Sequence, residues 1–109
     1  MPNAVQHVLV TVDTQGQLRC RPDPVVVQGA DVLISFRLMT QGYAFPEQGA
    51  VVVAQPGDSF PIPAWTVSAS LAVLLDRDDV VGDFAYTVNV VHVASGQRLS
   101  VDPTVRNEA

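Results

Sequence analysis

The chain has 109 residues, 48% of them hydrophobic and 16% charged, enough apolar mass for one two-layered domain and too much for a disordered chain. Its net charge is −5 and its six basic residues are all arginines, scattered singly, which disfavours nucleic acid or an anionic membrane surface as a partner. The lone cysteine, Cys20, excludes an intramolecular disulfide.

Valine dominates the apolar set, and a β-branched residue suits strands better than helices. No window carries helical apolar spacing, so the predicted elements are strands. The first covers residues 4–12, with Val8, Val10 and Val12 on one face. Asp13-Thr14-Gln15-Gly16-Gln17 reads as a turn capped by Asp13. A short strand over residues 18–20 ends at Pro22-Asp23-Pro24, whose prolines cannot donate to a ladder. Val25-Val26-Val27 follows, and Gln28-Gly29-Ala30-Asp31 turns the chain again. Val32, Ile34, Phe36 and Leu38 then alternate with Leu33, Ser35, Arg37 and Met39, giving one large apolar face and one mixed face.

Residues 40–49 read as a loop bearing Tyr43 and Phe45. A short strand over 50–54 leads to the turn Gln55-Pro56-Gly57-Asp58, and residues 59–64, with two prolines, are expected to run extended along an edge. Trp65, Val67, Ala69, Leu71, Val73 and Leu75 alternate with Thr66, Ser68 and Ser70, the pattern of one more strand. After the acidic connection Asp76-Arg77-Asp78-Asp79, residues 84–101 predict a hairpin. Phe84, Tyr86, Val88 and Val90 face one way, Thr87 and Asn89 the other, and Ala94-Ser95-Gly96-Gln97 supplies the turn. Residues 102–109 read as a polar C-terminal tail. About seven mostly antiparallel strands at this spacing predict a single all-β domain over 1–109, an Ig-like or cupredoxin-like β-sandwich. The placement of Tyr86 is similar to the tyrosine corner of such folds.

The chemistry-bearing residues are few. A blue-copper site needs two histidines, a cysteine and a weak methionine ligand. His7, His92, Cys20 and Met39 supply the types, but Asn89 and Val90 stand where the cysteine before His92 is required. Asp76, Asp78 and Asp79 begin like a calcium loop, yet Val80 and Thr87 occupy the fifth and twelfth positions, so the predicted role is a solvated turn with Asp79 or Asp83 capping backbone amides. There is no Gly-x-Ser-x-Gly elbow and no glycine-rich phosphate loop. Neither an enzyme nor a cofactor is expected. What remains is a set of candidate contact residues, the aromatics Tyr43, Phe45, Phe60 and Trp65 with Arg37 as a carboxylate anchor, and a candidate metal pair, His7 with His92, should the terminal strands meet. The plainer alternative for the aromatics is that they cover the open ends of the sandwich.

In its order of motifs the chain resembles the DP-EP family of small uncharacterised bacterial proteins. The similarity runs from His7 with Val10-Thr11-Val12-Asp13 through the Gly16 turn and Pro22-Asp23 ahead of a valine strand. It continues with Gly42-Tyr43-x-Phe45-Pro46 and Gly49, and ends with Tyr86-Thr87-Val88-Asn89-Val90 and Asp102-Pro103-Thr104-Val105-x-Asn107. The resemblance implies a β-sandwich and carries over no catalytic or ligand residue.

Met1-Pro2-Asn3-Ala4 lacks the basic and apolar regions of a secretory signal, and no apolar run approaches the roughly 20 residues of a membrane span, so a cytoplasmic location is expected. The expected function is a non-enzymatic module that binds a protein partner or assembles into a homo-oligomer. The alternative is a small-ligand or metal-binding sandwich using the His7/His92 region or the Tyr43–Phe45 loop.

Overall fold

The computed structural model describes residues 5–78 and 80–108. Its strands run in chain order as β1 (Val5–Val12), β2 (Leu18–Arg21), β3 (Val25–Gln28), β4 (Val32–Leu38), β5 (Tyr43–Ala44), β6 (Val51–Val53), β7 (Trp65–Ser68), β8 (Leu71–Asp76), β9 (Gly82–His92), β10 (Arg98–Val101) and β11 (Thr104–Glu108). They form two mixed sheets facing each other, an all-β sandwich.

The first sheet has the order β2-β1-β4-β8-β7. In the second, β9 is the spine. β5 and β6 pair along it at Tyr43↔His92 and Val51↔Val88, and β10 and β11 pair along it at Val101↔Val88 and Thr104↔Ala85. Beyond β11 lies β3. The pairings β1–β4 and β3–β11 are parallel and the others antiparallel. The strands outnumber the roughly seven expected: β5 forms within the residues read as a loop, β11 within the expected tail, and one alternating run divides into β7 and β8. Pro22-Asp23-Pro24 carries the chain from the first sheet to the second, Asp102-Pro103 interrupts a single register on β9, and Ser68 to Ser70 turn what reads as one alternating strand into the β7–β8 hairpin. Residues 59–64 join neither sheet.

Sidedness follows the strand period of two. Val8 and Val10 of β1, Val32, Ile34, Phe36 and Leu38 of β4, Ala72 and Leu74 of β8, and Tyr86, Val88 and Val90 of β9 are buried together with Val25, Val27 and Val105. Phe36 and Tyr86 cross from opposite sheets with ring centroids 5.5 Å apart, and small Ala72 sits beside Phe36 in the ladder, leaving room for the ring.

Two sequence expectations are corrected here. Residues 102–109 are not a polar tail: β11 lies between β9 and β3, with Val105 and Asn107 buried. Period two turns those side chains inward while Arg106 faces out, beside Asp83 at 2.9 Å. Nor is Asp76 part of a solvated turn. It is fully buried, and its Oδ1 accepts from the Asp78 amide at 2.8 Å and from Asn107 Nδ2 at 3.0 Å. Asn107 Nδ2 also reaches the Val80 carbonyl at 3.3 Å, and buried Ser59 accepts from the Val80 amide at 3.1 Å. Asp79 lies outside the described residues. The tyrosine-corner bond is not made either: the Tyr86 hydroxyl is buried with no hydrogen-bond partner among the described residues.

Removing the Asn107 amide leaves a buried carboxylate short of a donor, so Asn107→Ala is expected to lower unfolding stability by about 2 kcal/mol in urea melts. Tyr86→Phe deletes an unpartnered buried hydroxyl. It is expected to leave the midpoint unchanged or raise stability by up to about 1 kcal/mol, and a clear loss would show that the hydroxyl is bonded.

Candidate functional site

The apolar residues on the outward face of the first sheet fall in three cross-strand rows. Val5, Leu33 and Leu75 form one, and His7, Ser35, Val73 and Trp65 the next. The third is Arg21, Leu9, Arg37, Leu71 and Ser68, and beyond it Thr11 pairs with Arg19. Leu9 is 45% exposed, Trp65 42% and Val5 40%, while Leu33, Leu71, Val73 and Leu75 are half-buried by their neighbours. The sheet therefore carries large apolar side chains on both faces, its outward side mixing them with His7, Ser35, Arg21 and Arg37.

The outward face of the second sheet is built differently. Thr87 donates to Asp102 at 2.7 Å and Ser100 bonds Asn89 at 2.5 Å. Arg106 reaches Asp83 at 2.9 Å, Gln28 donates to Glu108 at 2.8 Å, and Asn89 Nδ2 donates to the Gly49 carbonyl at 2.8 Å. These are cross-strand polar pairs that satisfy one another at a solvated surface.

The structure divides the residues singled out in the sequence. Trp65 and Arg37 share the outward face of the first sheet. Phe45, only 5% exposed, belongs to the core and is not a surface contact, because its amide bonds the Ala69 carbonyl at 2.8 Å and draws the loop inward. Tyr43 is half-buried in β5 at the end of the sandwich, its ring 5.0 Å from that of His92.

The metal pair is not brought together. His7 projects from the solvent side of the first sheet, whereas His92 ends the inward row of β9 in the second sheet. Each imidazole has a serine partner instead, His7 Nδ1 with Ser35 Oγ at 2.7 Å and His92 Nδ1 with Ser95 Oγ at 2.8 Å. Sequence reasoning missed both serines. Ser35 stands across the parallel β1–β4 register from His7, and Ser95 lies in the hairpin turn. A serine nucleophile needs its base oriented by an acid and a donor set for the oxyanion, and neither histidine has a carboxylate among its hydrogen-bond partners. Among the described residues, no group of three or more His, Cys, Asp or Glu side chains could hold a metal ion.

A concavity of about 430 Å³ lies where β6 faces the proline segment, lined by Val51 to Val53, Phe60, Ile62 and Leu74 among others. Of the aromatics chosen from the sequence, Phe60 lines it, buried with its ring 5.1 Å from that of Phe84. No protein-family model matches the chain, and no curated protein does either.

Cys20 faces inward from β2, and burial, with the Asp23 charge as a smaller cause, pushes its thiol up to about 12. The fold thus favours the neutral thiol. That contribution is fully present below the ordinary thiol value of 9.0 and is lost as pH rises toward about 12. Since only a thiolate is strongly nucleophilic, a disulfide-exchange reagent at neutral pH is expected to label folded protein far more slowly than protein unfolded in denaturant. Equal rates would show that the thiol is open to solvent.

Proposed function

We propose that the protein is a non-enzymatic β-sandwich module that binds a protein partner through the outward face of its first sheet. The contrast between the two outward faces carries the reading. One sets paired polar side chains around the separated valines Val26 and Val52, while the other presents Leu9, Trp65, Val5 and the half-buried leucines and valine between them. Contiguous apolar surface on a small domain marks an interaction site, because each exposed apolar group gains free energy when a partner removes it from water. Single exposed apolar residues are ordinary; a continuous field across β1, β4, β8 and β7 is a different feature. The aromatic at its edge, Trp65, is a residue type that concentrates binding energy at interfaces.

The order of motifs from His7 to Asn107 supports a place among the bacterial DP-EP proteins, and the β-sandwich is the architecture that resemblance implies. A cytoplasmic setting is part of the same proposal. A free cysteine suits a reducing compartment, and no helix in the described residues is long and apolar enough to cross a membrane.

Leu9→Thr and Trp65→Thr keep strand-compatible residues at exposed positions, so each is expected to shift stability by no more than about 0.5 kcal/mol. Both are expected to abolish co-purification of the partner seen with the wild-type chain in pull-downs from the native host. Light scattering on the same samples reports any self-association. A wild-type protein that stays strictly monomeric and captures nothing at any concentration overturns the proposal, as does a complex indifferent to both substitutions.

A further inference from the structure

We infer that the partner seated on this face is a protein segment that sets carboxylates beside its apolar side chains, and not a second copy of this chain. The inference rests on the docking reading above and adds the partner's chemistry. Its ground is the row Arg21, Leu9, Arg37, Leu71. Arg21 and Arg37 flank Leu9 from the two neighbouring strands, which at ordinary strand spacing places their origins about 10 Å apart. Both are exposed. Arg19, Arg77 and Arg106 each lie within ion-pair distance of an aspartate, at 2.9, 3.8 and 2.9 Å, whereas Arg21, Arg37 and, alone on the second sheet, Arg98 have no such partner among the described residues. No carboxylate stands anywhere in the three rows. A chain of net charge −5 thus presents one apolar field bordered by two unmatched guanidiniums.

Charge complementarity decides the occupant. A guanidinium covered by a partner without an anion loses its hydration for nothing, while one that meets a carboxylate forms a charge-assisted, often bidentate, pair. A two-fold pairing of this face with itself fails that requirement. It sets the arginine row either against its own copy, with like charges opposed, or against the Val5 and Leu33 rows, with the guanidiniums buried and unpaired. A partner strand or sheet face alternating apolar and acidic residues satisfies both. Its apolar side chains cover Leu33, Val73 and Leu75, and carboxylates along one border meet Arg21 and Arg37.

The test uses the full chain, isotopically labelled, with two synthetic strand peptides as probes, one alternating valine with glutamate and the other valine with lysine. The glutamate peptide is expected to move the amide resonances of Leu9, Leu33 and Val73 and to bind about fivefold more tightly than its lysine counterpart, from two partly exposed ion pairs. Added salt is expected to erode the preference. The double substitution Arg21→Glu with Arg37→Glu is expected to invert it, and Arg37→Gln, a milder change, to reduce it. Equal binding of both peptides at the Leu9 face overturns the charge inference and leaves the docking reading standing. Tighter binding of a single-stranded oligonucleotide than of the glutamate peptide overturns it in favour of phosphate. Wild-type dimers that Leu9→Thr dissolves overturn it in favour of a second copy. If neither peptide moves those resonances and Leu9→Thr matches wild type in host pull-downs, both readings fall.

Discussion

The direction in which β4 faces is the constraint on which the rest of the structure depends. Register in a sheet is set where one face is buried and the other is wet, because a slip of one residue exchanges the faces. In the first sheet both faces carry large apolar side chains, so hydrophobicity alone discriminates poorly between them. The polar residues break the tie. With Phe36 and Ile34 inward, Ser35 and Arg37 lie outward; turned over, the strand would carry an unpaired guanidinium into the core, at a cost of several kcal/mol. Phe36 also has a fitted neighbour, since Ala72 beside it leaves the volume its ring needs. Arg37 thus acts twice, keeping β4 the right way round and placing a cation on the outward face.

One buried polar contact then locks the two sheets to each other. Asp76 ends β8 in the first sheet and Asn107 lies in β11 of the second, and the 3.0 Å bond between them is made between fully buried side chains. A buried bond of this kind adds little net stability, but its loss is expensive, so it penalises any sliding of one sheet over the other. Ser59 and the Val80 backbone extend the contact to the loops at that end. A sandwich held in this way presents its outward faces as fixed surfaces, which reduces the ordering cost a partner must meet on binding.

The fold was legible in the sequence wherever period two separated large apolar residues from polar ones. The β9–β10 hairpin was plain from Phe84 to Val90 with Gly96 at the turn, where the Gly96 amide does bond the His92 carbonyl at 2.7 Å. So was the inward row of β4. The C-terminal strand was hidden because its inward pair is Val105 and Asn107, and an asparagine is read as surface until a buried aspartate is known to face it. Alternation also reports two faces without saying which is inside. In β8 the bulkier set, Leu71, Val73 and Leu75, lies outward, while Ala72, Leu74 and Asp76 are buried. Ser68-Ala69-Ser70 holds no glycine or proline, so the hairpin joining β7 to β8 gave no signal either. Of the candidate contact residues, Trp65 and Arg37 were identifiable by type, but their place on one face depends on the β4–β8–β7 pairing, which no local pattern encodes.

The two outward faces differ in the kind of contact each can make. Mutually bonded polar pairs, such as Thr87 with Asp102 or Arg106 with Asp83, offer an approaching protein nothing better than the water they already have, and the exposed valines beside them, Val52 and Val26, are held apart by β9 and β11. The face of the first sheet offers apolar area and two uncommitted guanidiniums. Because the chain as a whole is acidic, a partner rich in carboxylates is repelled over most of the surface and attracted most where two such guanidiniums stand together, so the same charges that keep the domain dispersed also orient the encounter. That discrimination is long-ranged and weakens with salt, whereas the apolar contact acts only once the faces meet and does not depend on screening. Two terms with different ranges therefore divide the work, charge choosing the face and burial holding the complex.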